Sequence, residues 1–170
     1  MGQHQSARIG GANAPRRSTV KIKIGVIIDA PPEVVWRTVE QVERHVDWMA
    51  DAESITFTSA ARQGEGTQFD CVTRIGPFRT NDHMTIIQWT PRRAIGIEHH
   101  GLVKGWGRFT IGRRRGNRTR FTWTERLRFP WWMGGPVGAL AAKPILRRVW
   151  RRNLATLKQI VEAPSVTSAG

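Results

Sequence analysis

The chain has one cysteine, Cys71, and no tyrosine among its 170 residues. A single thiol excludes an intramolecular disulfide and leaves no cysteine set for a structural zinc site. No run approaches 18 consecutive apolar residues, so no membrane-spanning helix is expected. The first 19 residues are polar and Gly/Ala-rich, without the apolar stretch of a secretory signal. Gly2 and Ser6 match a short acylation pattern that chance also produces often. A cytoplasmic protein is the expectation. The phosphate-binding, dinucleotide-binding and nucleophile-elbow glycine motifs are missing, so neither a nucleotide cofactor nor a serine nucleophile is supported, and no cofactor is expected. Metal ligation is not expected either. Asp82-His83 and His99-His100 are strand neighbours, which point to opposite faces.

Negative charge is scarce in one half only. Residues 1–100 carry 12 basic and 11 acidic side chains, whereas residues 101–170 carry 15 basic and two acidic, Glu125 and Glu162. The net charge of +14 therefore belongs almost entirely to the second half. With 39% hydrophobic residues, the length suits one domain with one core. A loose arm is expected over 1–19, a domain over 20–162 and a loose tail over 163–170.

Val20, Ile22, Ile24 and Val26 alternate with Lys21, Lys23 and Gly25, which predicts a strand over 20–29 that stops at Ala30-Pro31-Pro32. Proline suits a first helical turn. Helices are expected over 32–40 and 42–49. From residue 53 the period is two, with strands over 53–59, 67–75, 78–90, 93–100, 103–113 and 118–129. Gly, Pro and Asn lie between them, and such short connections imply an antiparallel meander. The final element is an amphipathic helix with Leu146, Val149, Trp150, Asn153, Leu157, Ile160 and Val161 at helical spacing, begun or kinked by Pro144. A seven-stranded antiparallel sheet must pack its apolar face on something, and this helix is the long element available.

The segment Ile28-Asp29-Ala30-Pro31-Pro32-Glu33-Val34-Val35-Trp36, Trp48 after the second helix, Gly64-Glu65-Gly66 and Trp89-Thr90-Pro91-Arg92-Arg93 stand in a telling order. With Gly116-Asn117 and Asn153-Leu154 to Leu157-Lys158, they resemble the SRPBCC superfamily, the START-like helix-grip proteins typified by the birch pollen allergen. The polyketide cyclase/dehydrase-type group is the nearest in look. The resemblance implies an α+β helix-grip fold, a curved seven-stranded antiparallel sheet wrapped around a long C-terminal helix with two short helices after strand 1. It also implies a cavity between sheet and helix for a hydrophobic small molecule, held by a carrier or turned over by a cyclase or dehydratase.

Strand parity selects candidate residues. Phe121, Trp123, Glu125, Leu127 and Phe129 share one face, which leaves Glu125 as a carboxylate among aromatics. Buried, it must pair, protonate or meet water: either a nearby Arg or Trp N–H satisfies it, or it contacts a ligand or serves as an acid/base. His99 shares parity with Ile95 and Ile97; beside Glu125 it would form an acid/base pair, and otherwise it is a satisfied core residue. Asn153 interrupts the helix stripe and needs a partner, which a ligand, water or a strand side chain would supply. Phe69, Cys71, Ile97, Phe121, Trp123, Val149 and Trp150 would line the cavity, and Trp131 and Trp132 would roof it. The ligand expected is an aromatic or polycyclic metabolite or a lipid, and eight Trp and six Phe favour flat, ring-containing ligands over simple chains. On the opposite parity, Arg108, Arg120, Arg126 and Arg128 join Arg113, Arg114, Arg115 and Arg118 of the turn in a basic outer face. That face suits an anionic partner, RNA or lipid, or is simply solvated.

Overall fold

The expected alternation of the first strand is realised in β1, Thr19–Ile28, where Val20, Ile22 and Ile24 are buried and Thr19, Lys21 and Lys23 are exposed. The computed structural model describes residues 19–129 and 135–164, and of residues 135–140 the backbone course alone. Pro31 caps helix α1, Pro32–Val39, and Pro32 occupies its first turn, where a missing N–H strands nothing. Val35, Trp36 and Val39 turn inward. The next piece is a 3-10 helix, Val42–Asp47, shorter and tighter than the α-helix expected over 42–49.

Six strands follow: β2 Ala52–Phe57, β3 Gln68–Ile75, β4 Phe78–Thr90, β5 Ala94–His100, β6 Lys104–Arg114 and β7 Arg118–Arg128. They form one antiparallel sheet in the order β1-β7-β6-β5-β4-β3-β2, with the first strand closing onto the last. Gly116 and Asn117 both take positive φ, 71° and 59°, at the β6–β7 turn. Register shifts at Ile86/Gln88 and Ala52/Ser54 bend β4 and β2, which helps the sheet curl.

Helix α2, Gly135–Glu162, lies against the concave face, so the arrangement is the expected helix-grip fold. It begins nine residues before Pro144. Pro144 sits exposed inside it, where the lost hydrogen bond falls on the solvent side, and the Ala-rich stretch before it favours helix. Leu146, Trp150, Leu154, Leu157 and Val161 form its buried stripe. Both sides of the helix are fastened. Lys158 Nζ donates to Ile27 O at 2.8 Å and pairs with Glu162 at 2.8 Å, and Glu162 accepts from the Asp29 amide. Opposite, Asn153 holds the turn before β2.

The centre is aromatic. Trp48 packs on His45, Phe109, Phe121 and Trp123 with ring centroids 5.1–6.4 Å apart. His45 Nε2–H donates to Val39 O at 2.8 Å, and burial pushes its pKa down to about 4, so the ring is neutral. Outside, Arg108, Arg114, Arg115, Arg118, Arg120, Arg126 and Arg128 are exposed as parity predicts, and Arg113 is exposed and pairs with Glu33 at 3.1 Å. Most of the expected arm and tail, residues 1–18 and 165–170, falls outside the described residues.

Truncating this hub tests the core. Trp48→Ala should cost about 3–5 kcal/mol in urea unfolding. Trp48→Phe should cost clearly less, because the indole N–H has no hydrogen-bond partner among the described residues and its removal strands nothing. Equal losses would show that the ring packing is not what Trp48 contributes.

Candidate functional site

Strand register sets the site's frame. Across the concave face one row runs Ile86–Ile97–Gly107–Glu125–Ile22, and the next runs Met84–His99–Gly105–Leu127–Val20. Glu125 and His99 therefore lie on adjacent rows with a glycine strand between them. Gly107 leaves the Glu125 carboxyl free to lean across β6; a Cβ at position 107 would come within 2.8 Å of its Cδ. The result is a contact of 3.5 Å between His99 Nε2 and Glu125 Oε2, an ion pair too long for a good hydrogen bond.

The other imidazole nitrogen is held more tightly. His99 Nδ1–H donates to Asp82 Oδ2 at 2.7 Å, and Asp82 Oδ1 accepts from the Gly101 amide at 2.7 Å. Gly101 is also a seat, since a Cβ there would come within 2.9 Å of Asp82 Cγ. Burial alone would push the imidazole down. The bonds and charges of Asp82 and Glu125 outweigh it and raise the His99 pKa to about 9. At neutral pH the His99 ring is an imidazolium.

Glu125 is oriented by a neighbour on its own strand: Trp123 Nε1–H donates to Oε1 at 2.7 Å. Trp150 of α2 stacks on Trp123, with centroids 5.0 Å apart and planes at 27°. Glu125 Oε2 is buried and has no hydrogen-bond partner among the described residues. A second polar group sits nearby. Asn153 Nδ2–H donates to Asp51 Oδ1 at 2.6 Å, and Asn153 Oδ1 accepts from the Ala50 amide at 3.1 Å. Burial pushes the Asp51 carboxyl up, against its bonds to Asn153 and Trp150, and the charge of Glu125 pushes the same way as burial. Burial likewise raises the Cys71 thiol to about 11, with Asp51 and Asp82 adding to the shift, so Cys71 is an inert thiol.

Glu125, His99, Trp123 and Trp150 thus converge. Phe121 is fully buried against Phe109 and Trp48, in the aromatic core rather than beside the carboxylate. Phe69 and Cys71 face inward on β3, and Ile97 and Val149 are partly buried. Asn153 finds partners within the chain, the Ala50 amide and the Asp51 carboxyl in the turn before β2. Trp131 and Trp132 lie outside the described residues. Parity could have found Asp82, which alternates with the buried Met84 and Ile86; nothing in the sequence pointed to Asp51. Two cavities of about 410 and 290 Å3 lie elsewhere, one between α1, the 3-10 helix and the end of α2, the other between β1 and α2. Neither is lined by Glu125 or His99.

The sequence model of the family described as polyketide cyclase/dehydrase and lipid transport matches residues 19–162. No curated protein matches the sequence. Among solved structures, a protein of Thermus thermophilus superposes with a TM-score of 0.74 at 19% identity, over 86% of this chain and 99% of that one. The ZhuI aromatase/cyclase of Streptomyces sp. R1128 gives 0.69 at 16% identity, over 90% and 99%. A START superfamily protein of Mycobacterium smegmatis gives 0.69 at 14% identity, over 84% and 97%. At these identities the likeness is one of fold. Among the described residues no helix is long and apolar enough to cross a membrane.

The raised imidazole pKa gives a signed expectation. A histidine whose pKa is higher in the fold stabilises it fully below about pH 6.5 and loses that contribution as pH rises through about 9. An NMR titration should place His99 near 9. Glu125→Gln should lower it, and Gly107→Ala should lower it too by displacing the carboxylate. An unchanged value in Gly107→Ala would show that the glycine seat does not hold Glu125 in place.

Proposed function

The chain belongs to the polyketide cyclase/dehydrase and lipid transport family, and we propose that it binds a hydrophobic, ring-containing small molecule against the concave face, with a hydroxyl or carbonyl directed at Glu125 and His99. One observation carries the reading: a buried carboxylate oxygen, Glu125 Oε2, without a hydrogen-bond partner among the described residues, beside an imidazole Nε2 at 3.5 Å. A buried acceptor that has an ion pair but no hydrogen bond is under-satisfied, and a ligand hydroxyl would supply the missing bond. The Trp123–Trp150 stack beside it, itself buried, is an apolar and aromatic wall of the kind a ring-containing ligand packs on. Ile97, Val149 and the β3 residues Phe69 and Cys71 supply the surrounding apolar wall, as expected of a site that fixes a greasy ligand by a few polar points.

A second reading is catalytic, and the Asp82–His99–Glu125 series favours it. Asp82 orients the ring, so that Nε2–H faces the same space as the free oxygen of Glu125. Glu125 as base would take a proton from carbon, and the electron pair would form a C=C bond as a neighbouring hydroxyl leaves. His99 as acid would give that hydroxyl its proton, releasing water. Dehydration of a folded polyketide-like ring needs such a pair, and one structural relative is itself named an aromatase/cyclase.

Native mass spectrometry of freshly purified protein should reveal a bound aromatic or polycyclic molecule, and tryptophan fluorescence should be quenched when it is added back. Glu125→Gln should weaken binding about tenfold, the scale of one hydrogen bond to a charged group. Wild-type affinity in Glu125→Gln would sink the reading. Water loss from a hydroxylated ligand, abolished in His99→Gln with binding kept, would establish the catalytic form.

A further inference from the structure

Among the described residues five large apolar side chains are exposed, and three of them belong to one end of the molecule. Phe78, 67% exposed, starts β4 at the tip of the β3–β4 hairpin, opposite Ile75. Leu102, 42% exposed, is in the β5–β6 turn, next to the Gly101 amide that holds Asp82. Ile145, 55% exposed, lies in the N-terminal half of α2, the half that follows from the end of β7. The other two, Ile87 and Ile160, stand apart, on the β4 bulge and near the far end of α2.

The sequence around these three residues is strongly basic. Residues 74–79, 101–104, 126–129 and 141–148 hold eight Lys or Arg and no Asp or Glu. The exposed carboxylate that faces this hairpin is Glu53, and it is already paired with Arg74 at 3.0 Å and Arg79 at 2.6 Å. Separate apolar anchors on three elements, set among an excess of cations, make a poor socket for a folded partner. They match the interface of a bilayer, where side chains enter the acyl boundary and cations meet anionic headgroups.

We propose that this strand-end rim docks on anionic phospholipid bilayers, with Phe78, Leu102 and Ile145 as the inserted anchors and Lys104, Arg128, Lys143 and Arg148 on the headgroups. The inference rests on the proposed hydrophobic ligand, because a bilayer is where such a molecule partitions. The Gly101–Asp82–His99 hydrogen bonds tie this rim to the centre at which the ligand is proposed to bind.

Flotation of the full chain with vesicles tests the docking. The protein should float with phosphatidylcholine vesicles containing phosphatidylglycerol at about 0.1 M salt, within range of the headgroup field, and not with phosphatidylcholine alone. Combined Phe78→Ser, Leu102→Ser and Ile145→Ser should reduce the bound fraction at least about tenfold. An independent readout uses a polarity-sensitive dye on Phe78→Cys, which should shift to the blue with anionic vesicles, while the same dye on Ile160→Cys should not. Failure to float, wild-type binding by the triple variant, or equal shifts at both dye positions would each overturn the proposal. Ligand retention by the triple variant, read by native mass spectrometry, keeps this outcome separate. A variant that loses vesicles and keeps ligand supports both readings, and wild-type protein that carries ligand but ignores vesicles overturns the docking alone.

Discussion

A curled antiparallel sheet with one apolar face has a single long helix to cover it, and every other feature of this molecule answers to that constraint. α2 must be fixed along its length, because any slide would expose the concave face. The fastening is polar and lies at its two sides. Lys158 and Glu162 hold it to the end of β1, and Asn153 holds it to the turn before β2. Between these sides the Leu146–Trp150–Leu157–Val161 stripe supplies the apolar burial. The polar fastenings contribute less energy than the stripe, but they choose the helix's position.

A helix held in this way creates a dry interior, and charge in a dry interior must be paired. The imidazolium of His99 is balanced by Asp82 and Glu125, and two glycines make that balance possible. Without Cβ atoms at positions 101 and 107 the carboxyl groups lie flat over their neighbouring strands and approach the ring from both sides. Asp82 and Trp123 each commit a full hydrogen bond to orientation. Of the four carboxyl oxygens of Asp82 and Glu125, Glu125 Oε2 is the one without a hydrogen bond among the described residues, and the proposed chemistry rests on it.

The charge distribution separates two tasks. Inside, polar groups are few, paired and aimed, as suits recognition of a mostly apolar molecule by one polar handle. Outside, the excess of arginine covers the convex strands and the solvent side of α2, and at one end it surrounds exposed Phe78, Leu102 and Ile145. The proposed ligand site and the proposed docking rim would be joined through a single turn, residues 101–104.

The order of the elements, their antiparallel pairing and the inward side of each strand were legible by themselves, because alternation and turn residues are local signals. Glu125 and His99 were legible for the same reason, each being a polar residue on an apolar face. Asp82 obeys the same parity with Met84 and Ile86 but sits beside His83, and that pairing drew attention to metal ligation instead. The start of α2 lies well before Pro144, because the helix-favouring residues before and after the proline and the buried stripe that follows it outweigh its cost. Tertiary structure decided the rest. That residues 51, 82, 99, 125 and 153 gather around one point follows from strand order, register and the placing of α2. Those are settled by burial summed over the whole chain, and no stretch of sequence encodes them locally.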